Sequence, residues 1–276
     1  MQHETGATRD IRAGAGERLE LLEAAPRALA YPHPLLFLHG AFTGAWCWAE
    51  YFLPHFAGLG FACYALSFRG HGRSRGRDAL ATTSIQDYVE DVFEAVNRIG
   101  KPPVLVGHSM GGFVAQKYVE DTPVPGMALL APVPPQGLFA SQLKLALENP
   151  TLFAEMNAML SRGRASPEAM LRALFSGPVD VAKLREWFRR TQAESQRAIW
   201  DMTLFALPWL WRPNRPPLLW LAAEKDALVP IEQMRIGAGM LGSRVETIPG
   251  VGHAMMLDAG WQTVADRLVE WLRGLT

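Results

Sequence analysis

The sequence predicts one α/β domain, a mainly parallel, doubly wound sheet that carries an inserted helical cap, and three observations lead to it. Short, wholly apolar runs alternate with segments of helical period from residue 35 onward. A glycine-flanked serine, Gly107-His108-Ser109-Met110-Gly111, stands where an apolar run gives way to a helical one. A long strandless stretch separates the prolines at 132–135 from those at 213–217.

Each element follows in order. Arg18 to Ala24 reads as a short edge strand, and Leu35 to Leu38 as a buried strand closed by His39-Gly40. Ala45 to Gly58 has the aromatic spacing of a helix, Phe61 to Ser67 reads as a strand, and Arg69 to Ser74 is a glycine-punctuated loop. Ser84 to Ile99 places apolar residues at helical spacing behind a Ser84/Asp87 cap. Pro103 to Val106 is the short strand before Ser109, and Phe113 to Glu120 resumes helical spacing. Gly126 to Ala131, Leu218 to Ala222 and Arg244 to Ile248 are the remaining strands, with a last helix over Trp261 to Leu272.

Between the proline clusters the spacing gives helical pieces near Ser141 to Leu147, Leu152 to Leu160, Pro167 to Phe175 and Ala182 to Phe205. The expected organisation is a flexible segment 1–16, a core of 17–135 and 213–276, and a cap of 136–212.

Composition bounds the function. A chain of 276 residues, 49% hydrophobic and 20% charged, can bury one sizeable core. Lys+Arg and Asp+Glu both total 27, so no global field draws a nucleic acid or an anionic membrane. Cys47 and Cys63 sit in bulky apolar runs and read as buried small hydrophobes. The first 16 residues lack the apolar run of a signal peptide, and no stretch has about 18 uninterrupted apolar residues, which points to a soluble cytoplasmic protein.

The chemistry gathers around Ser109. The pattern G-x-S-x-G at a strand-to-helix turn is a nucleophile elbow: small neighbours let the helix approach a serine held in a strained backbone. A serine hydroxyl needs a base, and the base needs a group to fix its tautomer. Asp226 after one strand and His253 after the next supply both, with Glu224 as the competing carboxylate. His253 is the only histidine downstream of Asp226.

An oxyanion hole requires backbone N–H donors. Met110, just after the serine, is one; the loop after the first core strand supplies the other, Ala41 first and Phe42 second. Phe42, His108, Trp187 and Trp209 are candidate substrate contacts, with Trp46, Trp48 and Trp211 as further aromatic candidates. His71 and His108 read as packing or loop hydrogen-bonding residues, outside the catalytic set. Gly237 to Gly242 matches G-x-G-x-x-G by letter but follows a helical segment, so dinucleotide binding is rejected, and no spacing calls for a metal or a cofactor.

Together His39-Gly40, the Arg69-Gly70-His71-Gly72 loop, the Ser109 elbow, Asp226 and His253 resemble the α/β-hydrolase superfamily over roughly Leu35 to Leu272. His39-Gly40-Ala41 and the downstream tryptophans are most similar to its esterase and hydroxynitrile lyase-like branch; a lipase-type run of glycines is absent. Serine at the nucleophile position disfavours the dehalogenases and epoxide hydrolases of that superfamily, which carry aspartate there. The resemblance implies a serine esterase that acts on a small-molecule carboxylic ester, thioester or lactone with an apolar portion, through an acyl-enzyme on Ser109. The competing readings are a C–C bond hydrolase or hydroxynitrile lyase-like enzyme with His253 as base, and a non-catalytic ligand receptor.

Overall fold

The computed structural model describes residues 11–13, 18–162, 166–209 and 215–275. In chain order the elements are β1 (Ile11–Ala13), β2 (Leu21–Ala24), β3 (Leu35–Leu38), α1 (Trp46–Ala49), α2 (Phe52–Gly58), β4 (Cys63–Leu66), a 3-10 turn (Arg77–Thr82), α3 (Ile85–Ile99), β5 (Val104–His108), α4 (Met110–Tyr118) and β6 (Met127–Leu130). Then come α5 (Phe139–Glu148), α6 (Pro150–Arg162), α7 (Pro167–Leu174), α8 (Val181–Arg190), α9 (Gln196–Trp200) and a π-helical turn (Asp201–Phe205). The chain closes with β7 (Leu218–Ala223), α10 (Ile231–Met240), β8 (Val245–Ile248) and α11 (Trp261–Arg273).

Among the described residues the strands form one eight-stranded sheet in the order β1-β2-β4-β3-β5-β6-β7-β8. From β4 to β8 all pairings are parallel, while β1 and β2 add antiparallel to the β4 side. Every residue of β3, β5 and β6 is buried, as continuous apolar runs in a sheet covered on both faces require. The chain runs outward from β3 to β4, then returns to lay β5 on the other side of β3, with Leu38 opposite Gly107. That reversal opens a crevice beyond the carboxyl ends of β3 and β5, the place where open α/β sheets bind ligands.

Several expectations change. The supposed edge strand, β2, is covered by β1, which forms inside the segment 1–16 expected to be flexible; the other residues of that segment lie outside the described residues. The single helix over Ala45 to Gly58 is two helices, α1 and α2. Pro54 accounts for the break, because it has no N–H for the Glu50 carbonyl four residues back and its ring clashes with that carbonyl. The helix expected over Ala182 to Phe205 is interrupted between Arg190 and Gln196, where Ser195 caps α9 by accepting the Ala198 N–H at 3.1 Å.

The cap of the fold is α5 to the π-helical turn, inserted between β6 and β7. The Ser84/Asp87 capping box forms, with Ser84 N–H donating to Asp87 Oδ2 at 2.8 Å and Asp87 N–H to Ser84 Oγ at 3.1 Å. Gly237 and Gly239 lie within α10, a position that opens no nucleotide-binding turn. Among the described residues no helix is long and apolar enough to cross a membrane.

Candidate active site

β5 ends at His108 and α4 begins at Met110, so Ser109 alone makes the turn, with φ 50° and ψ −117°. Such a backbone costs an L-residue about 1–3 kcal/mol and persists only where its surroundings fix it. The surroundings here are very close. A methyl group on Gly107 would stand 2.6 Å from the Gly111 carbonyl oxygen, and one on Gly111 would stand 2.6 Å from that of His39. The Ser109 carbonyl accepts the Gly112 and Val133 N–H groups at 3.0 and 3.1 Å, which secures the turn from α4 and from the end of β6.

The loops after β7 and β8 bring Asp226 and His253 together. Asp226 Oδ1 accepts the Leu228 and Val229 N–H groups at 2.8 and 2.9 Å, and Oδ2 faces His253 Nδ1 at 2.8 Å. Both side chains are buried. With Oδ1 already held by the backbone, Oδ2 fixes the imidazole with its proton on Nδ1 and leaves Nε2 basic. Glu224, the competing carboxylate, is exposed and accepts the Gly250 N–H at 2.8 Å. Ser109 and His253 line one cavity without a hydrogen bond between them. Resting sites often tighten that contact only when substrate is bound.

Across the crevice, the loop after β3 carries Gly40, Ala41 and Phe42. A methyl group on Gly40 would lie 2.7 Å from His108 Nδ1 and 3.1 Å from Ser109 Cβ, so the loop packs directly on the elbow. His39 holds the loop from below: Nδ1–H donates to the Gly40 carbonyl at 2.8 Å and Nε2 accepts the Phe68 N–H at 3.1 Å. Burial, reinforced by the nearby His71, pushes its pKa down to about 3, so it stays neutral. Ala41 and Met110 both line the cavity. Phe42 lines it too, but its N–H donates to Glu194 Oε2 at 3.3 Å and is not free for a ligand, which removes it as the alternative oxyanion donor.

The cavity encloses about 520 Å³ between sheet and cap. Phe153, Met156, Met170, Leu174 and Phe188 contribute its cap wall, and Trp187 and His108 also face it. Trp46 lines it; Trp48 is wholly buried beside Phe37. Trp209 corrects an expectation: it is 58% exposed, is absent from the cavity wall, and its backbone N–H donates to Glu120 Oε1 at 2.6 Å. Trp211 lies outside the described residues.

His108 donates Nε2–H to the His253 carbonyl at 2.9 Å, and burial first, then the facing His253, hold its pKa well below the ordinary histidine value. It is therefore a neutral donor that braces the His253 loop. Cys47 also lines the cavity, but burial pushes its thiol up to about 12, which leaves it a poor competitor as nucleophile. Among the described residues no group of three or more His, Cys, Asp or Glu side chains is placed to hold a metal ion.

Among the buried carboxylates that escaped the sequence reading, Asp258 and Glu194 bear on the site. Asp258 accepts Ser176 N–H and Oγ–H at 2.7 and 2.9 Å, Gly252 N–H at 3.2 Å and Gly260 N–H at 3.1 Å, tying the loop after α7 to the residue beside His253. Glu194, at the break between α8 and α9, accepts Tyr88 Oη–H at 2.7 Å, Ser195 N–H at 2.7 Å and His71 Nε2–H at 3.0 Å besides Phe42. The only local signal for Glu194 is Ser195 as an N-cap, which marks a helix start inside a stretch whose apolar spacing suggests continuity. Asp258→Ala would strand four donors beneath the cap; it is expected to cost about 3 kcal/mol or more, read as a lowered melting temperature.

Comparison with known proteins follows the same outline. Residues 35–267 match the model of the Alpha/beta hydrolase family. The monoacylglycerol lipase of Mycolicibacterium smegmatis is 24% identical over 231 residues, 79% of this chain and 80% of that protein. Protein phosphatase methylesterase 1 of Bos taurus is 36% identical over 97 residues, and the match spans only 25% of that protein and 34% of this chain. Among solved structures, a putative non-heme bromoperoxidase, BpoC, of Mycobacterium tuberculosis superposes with a TM-score of 0.74 at 20% identity, covering 94% of this chain and 97% of that one.

Proposed function

The chain belongs to the alpha/beta hydrolase family, and on that premise we propose that it is a serine hydrolase cleaving a small carboxylic ester with a substantial apolar portion. One observation carries the reading: Ser109, in a strained turn, lines the same cavity as Ala41, Met110 and His253, and His253 is held from behind by Asp226. Ser109 Oγ attacks the ester carbonyl as His253 Nε2 takes its proton. The Asp226 carboxylate holds the imidazole and stabilises the imidazolium. The Ala41 and Met110 N–H groups receive the charge that develops on the carbonyl oxygen.

His253 then returns the proton to the leaving alcohol, and water, activated by the same imidazole, releases the acid. Thioesters and lactones present the same carbonyl to the same donors. The apolar wall of Phe153, Met156 and Met170 supports an acyl or aromatic group as the buried part of the substrate, with methionine able to adapt to its shape. The monoacylglycerol lipase and methylesterase relatives are named for ester chemistry, which supports the bond class.

A fluorophosphonate is expected to add once to the wild-type chain and not at all to Ser109→Ala, read by intact mass. A series of p-nitrophenyl esters of increasing acyl length should then show an optimum set by the 520 Å³ cavity. A folded wild-type chain that takes no adduct and turns over no ester would sink the acyl-enzyme reading in favour of His253-base chemistry or a receptor.

A further inference from the structure

We propose that Glu194 is a positioning residue which, from the cap, sets the Ala41 amide in the oxyanion hole; this rests on the acyl-transfer reading above. The loop after β3 is strained where it matters. Phe42, one residue after Ala41, has φ 67°, a left-handed backbone that a bulky side chain adopts only under constraint. Both polar groups of its backbone are taken by the cap: its N–H donates to Glu194 Oε2 at 3.3 Å and its carbonyl accepts the Gln192 N–H at 3.0 Å. The Ala41–Phe42 peptide therefore hangs between His39 and Gly40 on the core side and residues 192–194 on the cap side.

Glu194 is itself immobilised. Its side chain is fully buried, and Tyr88, Ser195 and His71 hold the carboxylate in addition to Phe42. Burial alone would raise its pKa, but His71, Tyr88 and the Ser195 N–H outweigh it and hold the carboxyl below its ordinary value. The break between α8 and α9 is what delivers this side chain to the core: a continuous helix would leave no extended residues to pair with Phe42. An oxyanion donor displaced by about 1 Å can cost on the order of 100-fold in rate. The consequence is that the cap contributes to turnover as well as to substrate fit.

The test compares Glu194→Gln, Glu194→Asp and a remote core truncation in α11, Val269→Ala, with wild type on one p-nitrophenyl ester. Glu194→Gln keeps the volume but turns one acceptor into a donor. It is expected to lower kcat about 100-fold with KM within about twofold. It should also weaken, by the same factor, a boronic acid whose tetrahedral adduct on Ser109 needs the oxyanion donors. Glu194→Asp keeps the charge beside His71 and shortens the reach by one methylene. It should lower kcat about tenfold and provides the reading if the amide variant does not fold.

Val269→Ala should lower the melting temperature with kcat unchanged. Folded Glu194 variants with kcat within about threefold of wild type, or a loss carried wholly by KM, would overturn the proposal. So would a fall in kcat that Val269→Ala reproduces at equal loss of stability. An active wild type with unaffected variants overturns this inference alone, whereas a wild type with neither ester turnover nor adduct overturns the function it rests on.

Discussion

Ser109→Ala is expected to lower kcat on the best p-nitrophenyl ester by about 10⁴- to 10⁶-fold, with the melting temperature held to within about two degrees of wild type. The contrast follows from where Ser109 sits. Its backbone N–H donates to Leu130 and its carbonyl accepts from Gly112, Phe113 and Val133, and alanine keeps all four bonds. The hydroxyl is bonded to no other described residue, so the fold loses nothing with it. On the proposed mechanism what is lost is the atom that forms the acyl bond, and the residual rate would come from the oxyanion donors and substrate binding alone. Steady-state kinetics with a parallel thermal melt decide the matter; a variant retaining a tenth of wild-type kcat would remove Ser109 as nucleophile.

Asp226→Asn should fall almost as far, by about 10⁴-fold in kcat, and the hydrogen bonds say why. Oδ1 accepts two backbone N–H groups, so the asparagine carbonyl must remain at that position, and its amide nitrogen must face His253. Facing a donor, Nδ1 becomes an acceptor and the proton moves to Nε2, where the imidazole can no longer take the proton of Ser109. Nitrogen NMR of His253 would read the tautomer directly, and kinetics the loss. Glu224→Gln is the matched comparison: Glu224 bonds Gly250 at the surface, and its loss should leave kcat within about threefold. Equal losses in the two variants would defeat the assignment of Asp226.

Much of this arrangement is legible in the residues. The apolar runs Leu35–Leu38, Val104–His108 and Met127–Leu130 are strands because no short amphipathic pattern could fit a sheet buried on both faces. Gly107 and Gly111 mark the elbow because any side chain there would meet backbone. Ser84 with Asp87 starts α3 through bonds that span three residues. Pro54, by contrast, carried a signal that aromatic spacing overrode: a proline that close to the start of α2 forbids the bond that would join it to α1.

What the sequence by itself determined is therefore the part that residue type and spacing mark: the apolar strands, the glycine-flanked serine turn, and the order of serine, aspartate and histidine after β5, β7 and β8. Those features show in residue type and spacing, although the contacts that fix them reach further along the chain, as Gly111 against the His39 carbonyl does. Tertiary structure alone decided that Glu194 turns inward to meet Phe42, His71 and Tyr88, that Asp258 ties Ser176 to Gly252, and that Trp209 faces solvent. A carboxylate is buried only where several donors from distant segments converge on it. Spacing along one chain does not encode such convergence, since the partners of Glu194 lie 152, 123 and 106 residues away.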